Sequence, residues 1–161
     1  MKKSTLIITQ SAIIASLYVI LTYISGLFGL SSGFIQIRIS ELLTVIPAFT
    51  VSGIPGLFIG CIISNILTGG NLIDIIAGSL ATLLGAVGTY LIGKKSKFLA
   101  PLPPVAANTL IIPFILHFAY NLNPLWLFFL TVFAGEAISC GLLGIPFYMF
   151  LKKNKQRLGL K

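Results

Sequence analysis

The chain has 161 residues, of which 57% are hydrophobic and 9% charged, with a formal net charge of +8. A soluble domain carries roughly 25% charged residues, and a chain this short cannot hide so much apolar surface from water, so the medium around most of it is lipid. Lys and Arg gather at positions 2–3, 94–97 and 152–161, beside apolar runs, with Arg38 alone elsewhere; that pattern orients a membrane protein and excludes the basic stripe of a nucleic-acid-binding face.

Lys2 and Lys3 precede an apolar run from Leu6 to Leu30. The run is longer than the ~7–15 residues of a signal-peptide core, which predicts a retained membrane helix over 5–30. Within it Ser11 and Ala15, and Ala12 and Ser16, recur at a spacing of four, and such small-residue pairs let helix backbones approach closely. The next two segments, 39–51 and 54–69, are short and are interrupted by Pro47, Gly53, Pro55 and Gly56. A span needs about 20 residues, so these two form two short spans, a re-entrant pair or one bent helix. Segments 72–93, 101–122 and 124–151 are each long enough to cross.

Charge narrows the choice. With the N-terminus inside and 39–69 crossing twice, the Lys94–Lys97 turn and the Lys152–Lys161 tail both fall inside. Ten of eleven basic residues then face the cytoplasm, as the positive-inside rule requires; a single crossing would put the Lys94 turn outside. The expected fold is an all-α integral membrane bundle, one transmembrane domain over 1–161, with six transmembrane helices and both termini cytoplasmic. Four spans plus a re-entrant pair satisfy the charges as well. The expected place is the cell membrane.

Polar residues are sorted by side in this topology. Gln36, Arg38 and Glu41 lie at the first outer turn; Asn65, Thr68, Asn71 and Asp74 at the second; His117, Tyr120, Asn121, Asn123 and Trp126 at the third. Asn123 and Ser31 are read as solvated loop residues. Glu136 falls about twelve residues into the last segment, near 18 Å deep at ~1.5 Å per residue, around the bilayer midplane. A charge there is expensive and faces a cavity or a partner; the alternative is a neutral carboxyl hydrogen-bonded inside the bundle. Arg38 and Glu41, three apart, can form a local ion pair if a helix has begun. An outward pocket rich in carboxylates suits a solute with a cation or several N–H donors. Tyr23, Phe28, Phe34, Phe118, Tyr120 and Trp126 lie on the same side, as interfacial belt residues or as rings for stacking on a flat ligand.

Enzyme motifs are missing or false. Gly88 to Lys95 nearly spells a phosphate loop, but Lys95 replaces the Ser or Thr that holds magnesium, and the stretch closes a helix instead of opening one. Cys61 and Cys140 are too few and too far apart for a disulfide framework or metal cluster and are read as packing residues. With a single histidine, His117, an intramembrane enzyme has little residue support.

The stretch Phe34-Ile-Gln-Ile-Arg38-Ile-Ser-Glu41-Leu-Leu-Thr-Val-Ile-Pro47, followed by Pro55-Gly-Leu-Phe-Ile-Gly60-Cys-Ile-Ile-Ser-Asn65-Ile, resembles the QueT family. So do Asp74 with Gly78-Ser-Leu-Ala-Thr82, the Pro104 to Asn108 stretch and the Gly135-Glu136 pair. The resemblance implies a substrate-binding S component of an energy-coupling factor importer, associated with queuosine precursors. It implies capture of a 7-deazaguanine, such as queuine or its aminomethyl precursor, from outside. The implied partners are a transmembrane coupling protein and two cytoplasmic ATPase subunits. No cofactor and no metal are implied. The docking face carried over from the family is Ala12 and Ser16, with Ser11 and Ala15 adjacent. For the ligand, Glu41, Asp74 and Glu136 are the expected acceptors: one carboxylate for the guanine-like N–H edge, another for a side-chain amine. Asn65, Asn71 or Asn121 would meet the ring carbonyl and the N7 side, with Arg38, Tyr120 and Trp126 completing the set. An S component for another vitamin or nucleobase, or a structural membrane subunit, stays open beside this reading.

Overall fold

The structure, a computed structural model, describes residues 3–30 and 36–159; Lys2, Ser31, Phe34 and Lys161, named above, lie outside the described residues. Among these, every regular element is helical. Helix α1 spans Lys3–Leu27, a 3-10 helix Ile39–Ala48, α2 Gly53–Leu67, α3 Asp74–Ile92, α4 Leu102–Tyr120 and α5 Leu125–Lys153. Four of these, α1, α3, α4 and α5, are long and apolar enough to cross a membrane. At about 1.5 Å per residue the 25 residues of α1 reach past a hydrocarbon core of about 30 Å. Large apolar side chains such as Ile13, Leu84, Leu110 and Phe133 point outward, which water would penalise and lipid does not.

Segment 39–51 folds as a ten-residue 3-10 helix. At about 2.0 Å per residue it extends roughly 20 Å, short of a full crossing. It does not need lipid at all: Leu43 to Ala48 are buried by α1, α3 and α5. The core forms around it, with Leu43, Val45 and Ile46 meeting Tyr18, Leu57, Ala86 and Tyr148.

Glycines set the closest approaches. A Cβ on Gly56 would stand 2.8 Å from the Cβ of Ile14, and one on Gly60 2.9 Å from that of Tyr18, so α1 and α2 run side by side in the same direction. A Cβ on Gly85 would lie 2.7 Å from Pro104 Cα, which closes α3 onto α4. Ser11 and Ala15 are therefore buried along α1 and α2, whereas Ala12 and Ser16 stay exposed. All four line an apolar groove with Ile8, Ile59 and Ile63.

The chain sorts its turns to two ends. One end holds Lys3, the Thr50–Ser52 turn and the Lys94–Lys97 turn. There Ser11 Oγ donates to Ser52 O at 3.0 Å, and Tyr148 Oη to Gly93 O at 3.2 Å. The other end holds the start of the 3-10 helix, the α2–α3 turn and the α4–α5 turn. There Ile39 N–H donates to Ser25 Oγ at 2.8 Å, and Asn71 Nδ2 to Ala119 O at 3.2 Å.

Candidate ligand-binding site

The second end opens into a cavity of about 390 Å³, within the size range of small-molecule sites. Every helical element or the turn beside it contributes to its wall. Thr22 comes from α1, Glu41 from the 3-10 helix, Thr68 to Gly70 from the end of α2, Asp74, Gly78 and Thr82 from α3, Asn108, Ile112, Leu116 and Tyr120 from α4, and Val132 and Glu136 from α5. Gln36 and Arg38 close it from the segment before the 3-10 helix.

Local backbone explains how each polar group gets there. Arg38 caps the 3-10 helix in an extended conformation, φ −101° and ψ 107°. Helical spacing therefore does not apply between Arg38 and Glu41; the condition for a local ion pair is not met, and the two do not form one. The guanidinium instead donates from Nη1 to Asn65 Oδ1 at 3.5 Å, and Glu41 turns inward to accept the Tyr18 hydroxyl. Asn65, fully buried, also donates to the Asp74 carbonyl at 3.4 Å. It stands behind the wall, where it holds Arg38 and the start of α3 in place.

Asp74 opens α3 within a π turn, Asp74–Gly78, and Glu136 immediately precedes a second π segment, Ala137–Leu143. Such turns carry one residue more than an α-helix and redirect the side chains beside them. Tyr120 donates to Asp74 Oδ2 at 3.1 Å and accepts the Asn71 N–H at 3.3 Å. Asn71 itself ties the α2–α3 turn to the end of α4. On the α5 side, a Cβ at Gly135 would sit 2.1 Å from Gln36 O. Only glycine admits this contact, and it brings Glu136 up beside the segment that bears Arg38.

The cavity thus presents three carboxylates against one guanidinium, interleaved with the amide of Asn108 and the hydroxyls of Thr22 and Thr82. Of the residues singled out from sequence, Arg38, Glu41, Asp74, Tyr120 and Glu136 line it. Asn65 and Asn71 support it from behind or beside. Asn121 and Trp126 are not brought to it. Asn121 ends α4 in the left-handed conformation, φ 55°, and the next residue, Leu122, is the one that turns in. Trp126 faces outward and is 64% exposed, and Tyr23, Phe28 and Phe118 are exposed too. Sequence reasoning missed Tyr18, Thr22, Thr82 and Asn108. A signal existed for the first two: Ser11, Ala15, Tyr18, Thr22 and Ser25 recur at spacings of three and four, and that stripe is the buried side of α1.

A family model described as "QueT transporter" matches residues 8–153. A stretch of 85 residues, 52% of the chain, is 47% identical to the protein named "Queuosine precursor transporter QueT" from Lactococcus lactis subsp. cremoris (strain MG1363). That stretch spans 50% of the length of this curated relative. No solved structure matches the chain.

Proposed function

The chain belongs to the QueT transporter family, and from that premise we propose that it captures a queuosine precursor in the polar cavity for import. It is a multi-pass membrane protein. In this reading it forms a single transmembrane domain of six helical passes, the 3-10 helix and α2 making the two short ones, with both termini cytoplasmic and the cavity open to the outside. The lysine turn at Lys94–Lys97, at the end opposite the cavity, supports that orientation. The ligand class is a 7-deazaguanine such as queuine. The queuosine precursor in the relative's name supports it, and so does the chemistry of a flat base with many N–H donors facing carboxylates and amides. The role is that of a substrate-binding S component, with ATP hydrolysis left to two cytoplasmic ATPase subunits joined through a transmembrane coupling protein. The exposed Ala12 and Ser16, on the apolar groove between α1 and α2, are the proposed docking face. Ser11 and Ala15 set its floor.

The observation that carries the reading is the convergence of Arg38, Glu41, Asp74 and Glu136, distant in sequence, on one cavity. Calorimetry on the purified protein tests it: queuine binds the wild type, and Asp74→Asn weakens binding more than about tenfold by removing a charge-assisted acceptor. Wild-type affinity in that variant overturns the assignment of the site.

A further inference from the structure

We infer that Glu41 and Glu136 together form a seat for an ammonium group, so that the cavity selects a ligand carrying a positive charge on its substituent. This rests on the reading above and names the feature of the substrate that the site demands. The two residues come from different elements, yet a carboxylate oxygen of each and Cys140 Sγ all lie within 4.8 Å of one another. Glu41 is only 2% exposed and lines the cavity. One of its oxygens accepts the Tyr18 hydroxyl, and the other, Oε2, has no hydrogen-bond partner.

A buried acceptor with no donor is costly, and two carboxylates this close repel each other. One group relieves both defects: a cation with several N–H donors placed between them. A primary ammonium has three donors and no acceptor, enough to reach Glu41 Oε2 and Glu136 together. Arg38 does not fill this role, since its guanidinium is turned to Asn65 Oδ1 at 3.5 Å.

A metal ion fits less well. Its third ligand would be Cys140, which is fully buried and is not part of the cavity wall. The Cys140 thiol is engaged with Glu136 Oε2 at 3.2 Å and with Thr44 Oγ1 at 3.4 Å.

Two 7-deazaguanines of similar size test the inference, one with a 7-aminomethyl group and one with a 7-cyano group. Calorimetry on the full chain in nanodiscs should show the aminomethyl base binding about tenfold tighter or more, the difference a charge-assisted pair supplies. In Glu41→Gln and Glu136→Gln the ratio between the two ligands should fall toward one. Equal binding of both bases by the wild type, which needs no variant to fold, overturns the ammonium seat and leaves the transport reading standing. A ratio unchanged in both variants overturns it too. Failure of the wild type to bind either base overturns both. Thermal stabilisation by Zn²⁺ alone, lost in Cys140→Ser, would make the cluster a metal site and also overturn the inference.

Discussion

At the scale of single residues, the site depends on buried polar groups whose partners come from other helices. Tyr18 is fully buried and is the hydrogen-bond donor to Glu41 Oε1. Tyr18→Phe keeps the ring and removes the donor, leaving both carboxylate oxygens without one; the expected loss is about 1–3 kcal/mol. Thermal unfolding in detergent measures it, and an unchanged midpoint would show that this bond does not hold the 3-10 helix to α1. Thr22 and Ser25 act on the same junction, donating to Ser40 Oγ and accepting from Ile39 N–H. The carboxylates were legible in the sequence because ionisable groups in so apolar a chain are expensive and therefore conspicuous. Thr22, Thr82 and Asn108 were not, because uncharged polar residues in membrane helices also serve ordinary packing and hydrogen bonding. Only the folded arrangement separates those that reach the cavity. The partner of Arg38 was not legible either, for a different reason. The backbone of Arg38 is extended, and spacing alone does not reveal that.

At the scale of elements, bilayer thickness and apolar run length placed the four long helices within a few residues of where they lie. Those two constraints act locally, so sequence carries them. The 3-10 form of Ile39–Ala48 and the π segments of α3 and α5 are not written in composition. Such tighter or wider turns depart from the regular α-helical winding that a hydrophobic run predicts. Both π segments border the cavity, beside Asp74 and Glu136. The Gly135 contact makes the dependence of the site on helix packing testable. Gly135→Val would force a side chain into Gln36 O, and overpacking of this kind costs about 1–3 kcal/mol. We expect a lowered unfolding midpoint and queuine affinity reduced more than about tenfold, read by thermal shift and calorimetry on one preparation. A variant that packs and binds like the wild type would mean that α5 does not position Glu136 through this contact.

At the scale of the whole molecule, polarity is divided between two ends: acids and amides around the cavity, lysines at the opposite turns. Single added cysteines test the orientation. Cys61 and Cys140 are buried and give little background. Asn123→Cys should react with a membrane-impermeant maleimide in intact cells, and Lys95→Cys only after permeabilisation; the reverse pattern would invert the proposed topology. Since each helical element lends a wall to the same chamber, no fragment of the chain can carry it alone. Cutting within the Lys94–Lys97 turn would leave Glu41 and Asp74 on one piece and Asn108 and Glu136 on the other. A bound solute therefore acts as a clasp on the fold: at one hundred times its Kd it adds about 2.7 kcal/mol against unfolding, shared by both halves of the protein.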